Sequence, residues 1–162
     1  MIELMTIGYE GLSLQNFLRT LQENRVQRIV DVRELPISRK PGFAKTALST
    51  ALKSHGIEYE HMVELGCPAN IRHAYREDKN WERYTKRFKA YLEKQDKALQ
   101  HLAERIVNER CCLMCFEANF NYCHRSYVAE KVVPFAKSPV KISHIMAGGG
   151  VQPDFPERGC VP

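Results

Sequence analysis

Two thiols, an imidazole, a carboxylate and a guanidinium fall within eleven residues where Cys115-Phe116-Glu117 is followed by Cys123-His124-Arg125. A cysteine beside a cation at a helix N-terminus has a depressed pKa and is held as the nucleophilic thiolate. Cys123, next to Arg125 at the opening of a predicted helix, meets that description, and Cys115 at a predicted strand end is the other candidate. His124 is then a proton-transfer partner, with Glu117 or Glu10 orienting it or serving as general acid or base. The same residues suit a second chemistry: Cys115, Cys123 and His124 are soft and borderline ligands, and Glu117 would complete a four-ligand set for zinc or iron. Cys115 and Cys123 are eight positions apart and form no paired knuckle. Cys112-x-x-Cys115 has the knuckle interval but lies in a predicted strand, where the two side chains point to opposite faces. The plain alternative is that free cysteines are buried as small hydrophobes, as expected for Cys111 and Cys112.

A second group is suited to anions. Arg33, Arg39 and Arg125 carry planar forked donors that match phosphate or carboxylate, Ser38 adds a hydroxyl and Tyr9 a phenol. Asp31 is a catalytic candidate or pairs with one of these arginines and braces its loop. Between Arg72 and Lys89 seven basic residues stand against three acidic ones, a surplus of four within a net charge of +5. Arg76, Lys79, Arg83 and Lys86 share one face if a helix begins early, with Trp81, Tyr84 and Phe88 facing elsewhere. Such a stripe tracks a nucleic-acid backbone or is a solvated helix face.

These residues need a frame. A chain of 162 residues closes one hydrophobic core and is short for two. With 44% hydrophobic and 27% charged residues it is neither disordered nor collagen-like. Its longest apolar run, 111–116, is far below the roughly 18 residues of a membrane span, so no membrane partner is expected. Met1, Ile2 and Glu3 lead straight into a strand-like run without a secretory pattern, so the expected address is the cytoplasm. Cysteines 67, 111, 112, 115, 123 and 160 gather mostly around one strand, which reads as thiols with local tasks rather than a disulfide framework.

Leu4, Met5 and Ile7 form a first strand that stops at Gly8; behind Ser13, a helix N-cap, Leu14, Phe17, Leu18 and Leu21 recur at helical spacing. Ile29, Val30 and Val32 make a second strand, and Ala47, Leu48, Ala51 and Leu52 a second helix that Gly56 ends. A third strand covers 57–61, and the stretch around Gly66, Cys67 and Pro68 reads as loop. From Asn80 to Arg110 there is neither Gly nor Pro, and the apolar spacing predicts one long helix. A buried strand at 111–116, a helix at 127–133 and a fifth strand at 140–145 follow. The alternation predicts a single three-layer α/β domain over 1–145, its sheet mostly parallel, of about five strands in the Rossmann-like order 3-2-1-4-5, with 146–162 a loose tail. Ligands of such sheets bind at the carboxyl ends of the strands, which is where Tyr9, Glu10, Asp31, Arg33, Cys115 and Glu117 fall.

Several separated motifs in this order resemble the domain of unknown function 488 family. They are Thr6-Ile7-Gly8-Tyr9-Glu10-Gly11, Asp31-Val32-Arg33 with Pro36, Ser38, Arg39 and Phe43, Gly56-Ile57-Glu58-Tyr59 leading to Leu65-Gly66, and the Cys115 and Cys123 segments. The likeness spans the chain to about His144, and it departs at Cys67, where a second glycine is expected. It implies the fold and the pocket but no reaction. Asp31-Val32-Arg33 and Arg125-Ser126 more distantly resemble the rhodanese sulfurtransferases, in which a cysteine and an arginine bracket a short persulfide-cradling loop; here Cys115 and Arg125 are ten positions apart. The expected function is an enzyme acting on a phosphate-bearing ligand, a nucleotide or nucleic-acid component, through thiolate or carboxylate chemistry. The alternatives are a noncatalytic nucleic-acid- or metal-binding module and, further off, rhodanese-like sulfur transfer.

Overall fold

Strand β1, Ile2–Gly8, begins half-buried and ends fully buried. Its Leu4 packs on one side of the sheet while Met5 and Ile7 pack on the other, the alternation that a pleated strand imposes. The computed structural model describes residues 1–146 and 150–153. Helix α1 (Leu14–Glu23) starts where the Ser13 hydroxyl accepts the Asn16 N–H, as an N-cap should. It is followed by β2 (Arg28–Asp31), α2 (Lys45–Ser54) and β3 (Glu58–His61), with Gly56 at φ +73° turning the chain between the last two. Then come α3 (Ala69–Asp78), α4 (Trp81–Leu92), α5 (Asp96–Asn108), β4 (Cys111–Cys115), α6 (Arg125–Val132) and β5 (Val140–Ile145).

Helices α1 and α2 cover one sheet face through Phe17, Leu21, Leu48 and Leu52, while α3 to α6 cover the other through Ile71, Phe88, Leu102 and Val128. The expected three-layer α/β architecture with a mostly parallel sheet is what forms. The strand order is corrected: it is β3-β2-β4-β1-β5-β6 rather than 3-2-1-4-5. β4 is buried throughout its length and takes the central place between β2 and β1. β1 and β4 are both apolar interior strands, so their sequences alone do not rank them within the sheet.

Two further readings are corrected and one helix is added. The gap-free stretch 80–110 is two helices: the N–H groups of Lys94 and Gln95 turn back to the carbonyls of Tyr91 and Leu92, freeing α5 to pack on the sheet. The stretch around Gly66, Cys67 and Pro68 is irregular as expected, and it leads into α3, a helix that buries only Ile71 and so shows little apolar periodicity. Within the expected loose tail, β6 (Val151–Pro153) pairs antiparallel with β5; Cys160 lies outside the described residues. Among the described residues no helix is long and apolar enough to cross a membrane.

Candidate functional site

Parallel pairing sets Gly8 opposite Cys115 and Asp31 opposite Met114, so the carboxyl ends of β1, β2 and β4 meet at one edge. A cavity of about 770 Å³ opens there. Cys115, Glu117 and His124 lie on its wall together with Tyr9, Arg33 and Ser38 from the two preceding strand ends. Across from them α3 contributes Arg72, His73, Tyr75 and Arg76, then Lys79, and α4 contributes Trp81 and Tyr84. Trp81 stacks on Tyr84 at 4.5 Å between ring centres, and Tyr75 meets both edge-on at 5.4 Å. Among the described residues two buried side-chain polar atoms lack a hydrogen-bond partner, Trp81 Nε1 and Glu117 Oε2, and both residues line this cavity.

Beside the cavity, Cys115 Sγ, Cys123 Sγ and a ring nitrogen of His124 all lie within 4.8 Å of one another, and all three residues are buried. Cys115 comes from the end of β4; Cys123 and His124 immediately precede α6. The Val32 carbonyl can only accept, so His124 donates to it from Nε2 at 2.6 Å, leaving Nδ1 turned toward Cys115 at 3.9 Å. Burial is the largest influence on Cys123 and opposes its ionisation, yet the Cys115 hydrogen bond, the Arg125 guanidinium and His124 together hold the thiol well below its ordinary range. Cys115 is pushed well above it, first by that shared hydrogen bond and then by burial. His124 is raised: burial works against its charge, but Cys123 and the Val32 carbonyl outweigh it. Burial, followed by the charge of Cys123, lifts the Glu117 carboxyl to about 7.

The loop carrying Glu117 is held by the core. Fully buried Arg125 donates from Nε to Thr6 Oγ1 at 3.1 Å and from Nη1 to the Glu117 carbonyl at 2.5 Å, while Nη2 reaches the Ala118 carbonyl at 3.4 Å. Glu10, exposed, accepts the Ala118 N–H at 3.0 Å. A Cβ on Gly8 would sit 1.8 Å from the Glu117 carbonyl oxygen, so only glycine lets this loop lie against β1. Gly66 plays a like part, its missing Cβ leaving room for the Glu34 backbone at 2.5 Å.

Of the residues singled out in the sequence, Tyr9, Arg33, Ser38, Cys115, Glu117, His124, Arg76 and Lys79 come together on the cavity wall. Cys123 stands behind Cys115, off the wall. Glu117 falls outside the group of three ligand atoms, so the set that assembles has three members rather than four. Asp31 pairs with an arginine and braces its loop, one of the two roles expected of it: past the end of β2, Arg33 forks onto Asp31 at 2.9 and 2.7 Å and reaches the Phe43 carbonyl and Tyr9 hydroxyl. Asp31 also accepts from Tyr59 at 2.6 Å. The expected three-arginine cluster does not form, because Arg125 is spent on Thr6 and the loop carbonyls while Arg39 is exposed and away from the cavity. The basic stripe is also divided: Lys79, at φ +53°, ends α3, while Arg83 and Lys86 line a separate depression on α4.

Arg72, His73, Tyr75 and Tyr122, all on the wall, had no place in the sequence reading of the site. The first three belong to α3, which the apolar spacing does not reveal, and only the basic surplus after Arg72 pointed toward it. All five described cysteines are free thiols, and Cys112 and Cys115 face opposite sides of the sheet as expected.

Fold and site together define an α/β protein whose cleft, at the carboxyl edge of a parallel sheet, joins a buried cysteine and histidine cluster to a cationic, aromatic wall. Residues 13–132 match the family described as Domain of unknown function DUF488, and the chain belongs to it. No curated protein and no solved structure matches the chain.

Proposed function

We propose that the cavity binds a phosphate-bearing ligand with a planar ring, a nucleotide or nucleic-acid component, and that the chain is an enzyme acting on it at the Cys115, Glu117 and His124 wall. The observation that carries this reading is the pair of buried, unpartnered polar atoms on one cavity, Trp81 Nε1 as donor and Glu117 Oε2 as acceptor. Buried polar groups are nearly always satisfied, so a donor and an acceptor left open on one wall mark the place of a missing partner. The stacked Trp81 and Tyr84 rings suit a planar group, and Arg72, Arg76 and Lys79 suit its phosphate. Of Cys115 and Cys123, Cys115 is the thiol on the wall, where the Cys67 thiol also lies.

Trp81 is the single tryptophan of the chain, which makes its fluorescence a direct probe of the cavity. Titration with nucleoside monophosphates and diphosphates should quench it saturably, and R76E/K79E should weaken that binding at least about tenfold, the loss expected for one or two charge-assisted contacts. Inorganic phosphate alone should bind more weakly than the nucleotides. Absence of any nucleotide effect would sink the reading. Binding without turnover would instead favour the noncatalytic module.

A further inference from the structure

We propose that Cys115, Cys123 and His124 hold one zinc ion, with its remaining position open to the ligand cavity. The inference rests on the pocket reading above for the role of the ion but on separate atoms for its existence. Two sulfurs and one imidazole nitrogen lie within 4.8 Å of one another, a separation that a cation at their centre would bridge with bonds of about 2.0–2.3 Å after small side-chain movements. Without a cation the Cys115 to His124 contact is a long 3.9 Å.

The surroundings already orient the ligands as metal sites require. The Val32 carbonyl fixes the Nε2–H of His124 and leaves the Nδ1 lone pair for the ion, the usual outer-shell partner of a metal-bound histidine. Phe88 packs edge-on against the same ring at 5.3 Å and limits its rotation. Cys115 is set by the end of β4, and Arg125, beside His124, ties the start of α6 to β1 through Thr6 and to the loop that follows β4 through the Glu117 carbonyl. On binding, both cysteines ligate as thiolates and His124 as the neutral imidazole, any protons that the three carry pass to solvent, and the two thiolates neutralise the divalent charge. Two sulfurs and one nitrogen in a near-tetrahedral arrangement favour zinc over harder cations. Three protein ligands rather than four are the pattern of a catalytic centre, whose free position takes water or a substrate oxygen. Cys115 and His124 line the cavity and Cys123 does not, so that position faces the ligand.

Reduced wild-type protein purified without chelator should carry one equivalent of zinc by elemental analysis, with zinc X-ray absorption showing two sulfur and one nitrogen neighbours. Replacement of the zinc by Co2+ should give thiolate-to-cobalt charge transfer and the intense visible bands of a tetrahedral site. C115S and H124A should each lower zinc affinity at least tenfold, and C111A should leave it unchanged. Because the absorption spectra are taken on wild type, a variant that fails to fold does not decide the matter. Folded, reduced protein that takes up no zinc tighter than micromolar, or zinc bound without sulfur neighbours, overturns the proposal; iron at the same stoichiometry overturns the choice of ion. Nucleotide quenching of Trp81 in chelator-stripped protein separates the two readings. Quenching retained with no metal site sinks the zinc proposal alone, and zinc retained with no nucleotide binding sinks the pocket reading alone.

Discussion

Arg33 and Arg125 are the two arginines buried at the site, and each is committed to a purpose that charge counting does not show. Arg33 closes a bidentate pair with fully buried Asp31, which also accepts the Tyr59 hydroxyl. Removing one member of a buried pair strands the other, so R33A should destabilise the fold by about 3–5 kcal/mol, read from urea unfolding, whereas D31N with its amide retained should cost less. Burial is the first influence on Tyr59 and pushes its hydroxyl upward, with the Asp31 carboxylate adding to it, so this phenol stays a donor to Asp31 across neutral pH. Gly8 is decisive for a different reason. A methyl group 1.8 Å from the Glu117 carbonyl oxygen has no room, so G8A should displace the 117–118 loop and abolish saturable nucleotide quenching of Trp81 even where circular dichroism shows the fold intact.

At the scale of elements, α3 and α4 divide the basic surplus between two surfaces. The cavity side carries Arg76 and Lys79; the outer side of α4 carries Arg83 and Lys86, and Arg83 is already paired with Asp78 at 3.1 Å. Reversing charge at Arg83 and Lys86 should leave mononucleotide affinity within about twofold, because both are exposed on a separate depression and salt screens charges at the surface. The same reversal should cut affinity for a single-stranded oligonucleotide if the longer polymer runs across both helices, and a filter-binding comparison at two salt concentrations reads this directly. Loss of mononucleotide affinity instead would show that the two surfaces are not independent. The break at Lys79 and Asn80 matters here too, since a helix continuous through it would have placed all four cations on one line.

For the whole molecule, a charge network ties the outer strands to α5. Arg28 donates to Glu109 at 2.6 and 3.1 Å, and Glu60 accepts from Arg105 at 2.9 Å and contacts His101 at 2.5 Å. The Arg28 hydrogen bond is the main reason that the Glu109 carboxyl lies below its ordinary range, burial opposing and the charges of Arg28 and Arg105 adding to it. A carboxyl with a lowered folded pKa contributes stability that is fully present above its unfolded value of about 4.3 and is lost as pH falls through the folded value. E109Q should therefore flatten the acid limb of the stability profile. The difference from wild type should be at most about 1 kcal/mol at neutral pH, because this pair is solvent-screened, and should vanish at low pH; thermal unfolding across pH 2 to 7 tests it.

Much of this was legible along the chain. Strand and helix periods, the Ser13 cap, the Gly56 stop and the burial of Cys111 and Cys112 follow from local chemistry, and so does the gathering of Tyr9, Arg33 and Cys115 at one sheet edge once the strands are parallel. Helix α3 was hidden because a helix that buries one residue carries almost no apolar signal, and with it went half of the cavity wall. The amino-acid sequence by itself determined the elements, the family likeness and which side chains had chemistry to offer. Only the tertiary structure decided the placing of β4 between β2 and β1, the pairing of Arg33 with Asp31, the diversion of Arg125 to the loop carbonyls and the convergence of Cys115, Cys123 and His124. Those outcomes depend on which buried polar group finds which partner across the sheet, and that competition is settled by three-dimensional packing rather than by spacing along the chain.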